Sequence, residues 1–348
     1  MFGLRLYGAS DLRLDEMPKP SLPKRGMLIR VHACSICGSD LRNIKAGGTS
    51  HGMILPRVLG HEFSGEIAEI DGEGEGYHIG DRVLIAPGVP CGKCDFCEQG
   101  LTNMCTDKKT ISNEYDGGFA EYVAIPEKLI LTGGLIRLPS DITYEQAAIT
   151  EPLSCVLNGQ EISKVGLGDV VAIIGAGPLG VAHAEIAKIL GASKVIMSEL
   201  SEDRRVRAKH SRAIDVVLDP TKGDFLEEIL KETSNKGADV VIVAAPSGAA
   251  QVQALEIASK RGRVNFFGGL PKGNSQITID SNVIHYKELT INGTSDSRVI
   301  HMKKIVKLLS TGKIDTDFLI TKIFPITEFK DAFELAANGK ALKVVIRP

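Results

Sequence analysis

No apolar run in the 348-residue sequence approaches the ~20 residues that a bilayer-spanning helix needs. An excess of charge is missing too: 41 Lys and Arg face 43 Asp and Glu, a net charge of −2, which gives no footprint for nucleic acid or an anionic membrane. The opening segment MFGLRLYGASDLRLDEMPKP has no basic stretch followed by an apolar one. A secretory signal is therefore not expected, and the cytoplasm is the expected location. Low-complexity segments and repeats of fixed period are absent as well. Cysteine is scarce and odd in number, with seven residues: Cys34, Cys37, Cys91, Cys94, Cys97, Cys105 and Cys155. Four of them crowd into residues 91–105, which in a chain without a signal reads as metal ligands before disulfides.

What is present fits an ordinary globular protein, with 43% hydrophobic and 24% charged residues. The length exceeds what one compact core usually holds, so two domains are expected. Residues 1–150 carry short β-type runs such as MLIRVHAC, SGEIAEI, DRVLIAP and AEYVAIP, broken by Gly and Pro. From about Val170 the rhythm changes. VVAIIG, KVIMSEL, DVVIVAAP, RGRVNFFGG and ELTINGT read as strands, with helical stretches such as PLGVAHAEIAKILGA and SEDRRVRAKHSRA among them. Strands alternating with helices predict a parallel α/β sheet. The last fifty residues hold a helix, VIHMKKIVKLLSTG, and a terminal strand, ALKVVIRP.

Gly175, Gly177 and Gly180 form a G-x-G-x-x-G turn, with Pro178 and Leu179 inside it, directly after the strand VVAIIG and at the start of a helix. The glycines serve a tight turn, close approach of backbone to pyrophosphate, and helix-on-strand packing. The helix N-terminus offers free N–H groups to the phosphates. Glu199 ends the second strand, nineteen residues past Gly180. A carboxylate there accepts hydrogen bonds from ribose hydroxyls and repels a 2′-phosphate, favouring NAD over NADP. Arg204 and Arg205 pull the other way, as cations able to meet a 2′-phosphate, or are simply solvated helix charges.

Cys91, Cys94, Cys97 and Cys105 suit a closed tetrahedral zinc site, which is structural because no position remains for substrate. An iron–sulfur centre and disulfides are the alternatives. A second, open zinc needs about three protein ligands. Its candidates are Cys37 in CSICGSD, and His61 with Glu62 in VLGHEFSGE.

Taken together, CGSD, GHEFSGEI, GDRV, the four-cysteine lobe, GGFAEY, EPLSC, GAGPLG and the strand ending in Glu199 resemble the zinc-containing medium-chain dehydrogenase family over essentially the whole chain. The likeness is nearest to its sorbitol, polyol and L-threonine 3-dehydrogenases. It implies an α/β fold: a GroES-like β domain of residues 1–153 and 296–348, with a structural zinc lobe at 88–108, and a doubly wound Rossmann domain of residues 154–295, with the active site in the cleft between them. It implies two zinc ions per chain and NAD. Cys37, His61 and Glu62 match the family's catalytic zinc ligands, and Glu151 in TEPLSC stands where ethanol-type enzymes place a cysteine. Cys155, four residues on, is not the matched position. Asp40 matches the acid that orients the histidine ligand, and Ser39 the hydroxyl that relays the alcohol proton. Arg42 replaces a relay histidine of many relatives and cannot shuttle a proton; the nicotinamide ribose, a water or His51 are the alternatives, and a loop histidine such as His51 is more often a surface residue. Cys34 reads as a buried thiol.

Phe267, Gly268 and Gly269 match the loop that meets the nicotinamide, and Thr294 and Ser295 occupy a similar place. The resemblance further implies an edge-strand homodimer or homotetramer. The expected function is NAD-dependent oxidation of a secondary alcohol of a polyol, sugar acid or sugar phosphate. The rivals are L-threonine 3-dehydrogenase and, from another class, a non-catalytic nucleotide-sensing zinc protein. The small-molecule alcohol is the only partner expected beyond the chain's own copies.

Overall fold

A computed structural model of the chain describes residues 1–48, 53–271 and 273–348, so His51 lies outside the described residues. Contacts divide the chain into two compact units, Met1–Ser154 with Ser297–Pro348, and Cys155–Asp296. Among the described residues no helix is long and apolar enough to cross a membrane.

The first unit is built on a seven-stranded sheet. Leu135–Arg137, Arg82–Ile85, Glu62–Ile70, Met27–Ser35, Lys343–Arg347 and Ile320–Pro325 lie in that order, and Tyr122–Ile125 also pairs with Met27–Ser35. Every pairing is antiparallel except the last, between Lys343–Arg347 and Ile320–Pro325. The central strand MLIRVHACS is buried at seven of its nine positions, which accounts for its nearly unbroken apolar run. Its core includes Leu4, Leu6, Met27, Ile29, Phe63 and Phe119, all with no exposed surface. Gly65 is needed where two strands close up, because a Cβ there would stand 2.0 Å from the Arg30 carbonyl oxygen.

Register delivers the chemistry of this unit to one sheet end. Ser35 lies opposite Glu62 on one side and Val345 on the other. The Ile36 N–H donates to the Val344 carbonyl at 2.9 Å, continuing that ladder. Cys37, Glu62 and Lys343 thus leave neighbouring strands at the same end. A one-residue slip would turn Glu62 and Lys343 to the opposite face.

The second unit holds a six-stranded sheet in which every pair is parallel, ordered Val216–Leu218, Lys194–Ser198, Val170–Ile174, Ala238–Val243, Ala258–Phe266, Thr290–Gly293. In chain order that is 3-2-1-4-5-6, the doubly wound arrangement, in which ligands bind outside the carboxyl ends of the strands. VVAII and ADVVIV are buried at four and five positions, as parallel strands covered on both faces require. The helix after the glycine turn spans Pro178–Ile189 with Pro at its start, where a missing N–H costs nothing. The next, Glu202–Ala208, is shorter than its polar sequence suggests: Ser201 caps its beginning, and the chain leaves the helix at Lys209.

Candidate active site and metal centres

Cys37 caps the helix Gly38–Ala46, and its backbone N–H donates to Asp40 Oδ2 at 2.9 Å. The cap fixes Asp40, which is fully buried, at the foot of the site. His61 follows Gly60, whose φ of +92° and contact with Cys34 and Phe119 leave no room for a side chain. The His61 ring lies between two groups. Nδ1 is 3.5 Å from Asp40 Oδ1, and Nε2 is 3.4 Å from the Ser39 hydroxyl. Burial pulls the imidazolium down, but the charges of Asp40 and Cys37 outweigh it and hold His61 well above the usual histidine range. A cation, whether a proton or a metal ion, is what this pocket favours.

Ligand atoms of Cys37, His61 and Glu62 fall within 4.8 Å of one another. Thiolate, imidazole and carboxylate together suit zinc, and three of them leave a position open. Glu62 is fully buried. Its Oε2 accepts from Lys343 Nζ at 2.6 Å, while Oε1 has no hydrogen-bond partner among the described residues. An unpartnered buried carboxylate oxygen is costly unless a cation meets it. The site's own atoms therefore fit a metal.

Lys343 is the residue that sequence reasoning did not single out. It is 6% exposed and also donates to the Ile36 carbonyl at 2.7 Å. Burial lowers its pKa, but Glu62, Cys37 and Glu151 together raise it above the ordinary lysine value. The only signal in the sequence was a lysine at the head of an otherwise apolar strand, KVVIR. Glu151 opens the helix Thr150–Ile162 and is buried, but it lies outside the group of three. Its charge is felt at Lys343. Cys34 is fully buried, and burial pushes its thiol well up, as for an inert core cysteine. Arg42 is exposed on the helix that begins at Gly38.

The four lobe cysteines form a second group within 4.8 Å. Cys94 and Cys97 sulfurs are 3.6 Å apart, and Cys91 and Cys97 3.9 Å. A tetrahedron with metal–sulfur bonds of about 2.3 Å has edges of about 3.8 Å. All seven cysteines are free, so the disulfide alternative finds no counterpart. Backbone N–H groups of Thr106 and Cys97 hold the Cys94 thiol down at about 6, while burial pushes Cys97 up to about 12. Four thiolates this close need a cation among them.

In the second unit Gly175 has φ of +109°, and a Cβ at Gly180 would lie 1.9 Å from the Gly175 carbonyl oxygen. Gly177 caps the following helix, so Pro178, Leu179 and Gly180 form its first turn. Glu199 spans the loop: Oε2 accepts from the Ala176 N–H at 2.8 Å and Oε1 from the Ser201 N–H at 2.9 Å. The two arginines separate here. Arg205 is held by Asp219 at 2.9 Å and by the Glu199 carbonyl, whereas Arg204 lies 3.7 Å from the Glu199 carboxylate and reaches over Gly177. Phe267, Gly268 and Gly269 follow the strand Ala258–Phe266, and Gly268 approaches Ala245 so closely that a Cβ would sit 2.7 Å from its carbonyl. Thr294 and Ser295 follow Thr290–Gly293, with Ser295 exposed. Glu199, the glycine turn and these two turns thus all lie at carboxyl ends of one parallel sheet.

A doubly wound sheet with a dinucleotide turn, joined in one chain to an open thiolate–imidazole–carboxylate centre and a closed four-thiol centre, defines a metal-using nucleotide oxidoreductase. Residues 23–135 match the family model of the alcohol dehydrogenase GroES-like domain, and residues 178–311 that of the zinc-binding dehydrogenase. The chain belongs to the zinc-binding alcohol dehydrogenase family and is an oxidoreductase. It is 36% identical to L-threonine 3-dehydrogenase of Pyrococcus horikoshii, over 97% of this chain and 95% of that one. It is 32% identical to sorbitol dehydrogenase of Halalkalibacterium halodurans, over 98% and 97%. A solved zinc-binding dehydrogenase from Sinorhizobium meliloti 1021, bound to NADP, superposes with a TM-score of 0.90 at 29% identity, covering 100% of this chain and 99% of that one.

Proposed function

We propose that the chain is an NAD-dependent zinc dehydrogenase that oxidises a secondary alcohol of a polyol, sugar acid or sugar phosphate to a ketone. The observation that carries this reading is the Cys37–His61–Glu62 group, with a buried, unpartnered Glu62 oxygen and the Ser39 hydroxyl beside the His61 ring. When bound, zinc supplies Lewis-acid polarisation of the substrate oxygen, and the nicotinamide supplies the hydride acceptor. Cys37, His61 and Glu62 would hold that zinc, with Glu151 entering directly or through water; the four lobe cysteines would hold a second, structural ion. The Asp40 carboxylate, with Oδ1 3.5 Å from His61 Nδ1, favours the proton on Nδ1 and so leaves the Nε2 lone pair free. Ser39 takes the alcohol proton at its Oγ and passes on its own. Arg42 cannot continue that transfer, so the proton leaves by another route. Lys343 holds the Glu62 carboxylate in place through its hydrogen bond to Oε2.

For the cofactor, Gly175, Gly177, Pro178, Leu179 and Gly180 would take the pyrophosphate, and Glu199 the ribose hydroxyls. Arg204 would flank that ribose, and Phe267, Gly268, Gly269, Thr294 and Ser295 would face the nicotinamide end. The Sinorhizobium protein carries NADP. Here the Glu199 carboxylate disfavours a 2′-phosphate at the same strand end. We assign residues 1–153 and 296–348 to the catalytic domain and 154–295 to the nucleotide domain. A cytoplasmic homodimer or homotetramer, paired through the edge strand Thr290–Gly293, completes the reading.

L-threonine is the competing substrate, favoured by the 36% identity to a threonine dehydrogenase. A screen for NADH formation over polyols, sugar acids, their phosphates and L-threonine, with Cys37→Ser as control, decides between them. Turnover surviving Cys37→Ser would remove the zinc reading.

A further inference from the structure

The buried polar side chains between the helix Thr150–Ile162 and the last two strands of the parallel sheet have no part in the reaction described above. Asn265 sits in the strand Ala258–Phe266, fully buried, two residues before Phe267. Its amide nitrogen carries two hydrogens and has four oxygens within reach: Asn292 Oδ1 at 2.5 Å, Thr294 Oγ1 at 2.8 Å, Ser163 Oγ at 2.9 Å and the Gly159 carbonyl at 3.4 Å. Ser163 donates to that same carbonyl at 2.7 Å. Asn265 and Asn292 face each other across the last strand pair.

A buried position in a parallel strand ordinarily takes an aliphatic residue. Burying an amide there costs free energy unless its hydrogen bonds are made, and an apolar side chain would fill the space without them. The Asn265 amide oxygen has no partner among the described residues, and the bonds its nitrogen makes reach two places only. One is the end of the helix at Gly159 and Ser163; the other is the end of the edge strand at Asn292 and Thr294. Asn265 therefore ties the 293–295 turn to a helix, from the residue that also begins the path into the 267–269 turn. A strand end at the edge of a sheet has a neighbour on one side only, so this tie replaces the restraint an edge lacks.

We propose that Asn265 is a positioning residue for the nicotinamide end of the bound dinucleotide, acting through Thr294 on the turn that faces it. This rests on the dinucleotide reading given above. The adenosine end is served by other elements, the 175–180 turn and Glu199, and the strand Ala238–Val243 separates Asn265 from the strand that precedes the glycine turn. Loosening the 293–295 turn leaves that end as it is.

The test is a titration of the full-length, zinc-loaded chain with NADH and, separately, with ADP-ribose, which lacks the nicotinamide. Asn265→Leu is expected to weaken NADH about tenfold and to leave ADP-ribose within about twofold. Ser163→Ala keeps Asn265 and Thr294 and removes the hydroxyl through which Asn265 is tied to the helix. It is expected to cause a smaller loss, about threefold, again confined to NADH. It decides alone if Asn265→Leu does not fold. Equal weakening of both ligands, or an unchanged NADH affinity, overturns the proposal while leaving the dinucleotide reading intact. Failure of the unmodified chain to bind either ligand overturns both.

Discussion

Cys91, Cys94, Cys97 and Cys105 are drawn from fifteen consecutive residues and close upon themselves, whereas Cys37, His61, Glu62 and Lys343 come from the ends of neighbouring strands across the length of the first unit. The lobe needs only a local knuckle and the short helix Asp95–Glu98 to bring its sulfurs within metal reach. The other centre exists only when three strands pair in register. One offers a cation four equivalent soft ligands. The other offers three unlike ones, an adjacent hydroxyl and a buried ammonium that engages one carboxylate oxygen. A site assembled from tertiary structure can leave one position open and surround it with groups of different chemistry, which a run of C-x-x-C steps cannot.

The contrast is broken most sharply by paired cysteine substitutions. Cys37→Ser is expected to lower kcat at least about a thousandfold with a small change in thermal midpoint. Cys94→Ser should instead lower the midpoint and the zinc content together, since a structural site contributes folding free energy. Comparable midpoint losses in the two variants would erase the distinction between an open and a closed centre.

Next in size is the buried ion pair. In the metal-free chain Lys343→Met leaves the Glu62 charge without its partner and is expected to cost about 3–5 kcal/mol in a denaturant unfolding experiment. Adding Glu62→Gln should recover part of that loss, because no buried charge then stands alone. A double variant no more stable than Lys343→Met would mean that Lys343 acts on something other than Glu62.

The acid sensitivity of the second unit gives a third contrast. Burial holds His183 down at about 3. The unfolded chain therefore binds a proton at His183 that the folded chain refuses, anywhere between about pH 6.5 and that value. Its stabilising share is complete above about pH 6.5 and is lost as pH falls, by up to about 4 kcal/mol near pH 3. His183→Leu should flatten the stability profile over that window; an unchanged slope would place the acid sensitivity elsewhere. The smallest expected effect belongs to Arg204→Ala, which should reduce NADP use with little change in NAD use. Its guanidinium is partly exposed beside Glu199, where such charges contribute at most about 1 kcal/mol.

The same contrast explains what could be read from the sequence. Strand and helix alternation, the G-x-G-x-x-G turn and the four-cysteine spacing are local patterns, each set by a few neighbouring residues. Lys343 could not be found that way: it meets Glu62 from 281 residues away, and only the strand register brings them together. Asn265 was equally hidden, a single polar letter in RVNFF whose partners lie on a helix and on the adjacent strand. Glu151 shows the limit of motif matching, since the match supplied a position but no distance, and the residue lies outside the group formed by Cys37, His61 and Glu62. Arg204 and Arg205, equivalent on paper, differ because one helix turn points Arg205 at Asp219.

The most direct test of two unlike zinc centres is the metal content of the purified chain beside that of Cys37→Ser, each with its activity. Two zinc ions per chain are expected to fall to one in Cys37→Ser, with the midpoint held and turnover lost. One zinc in the unmodified chain, or two in an active Cys37→Ser chain, would contradict it.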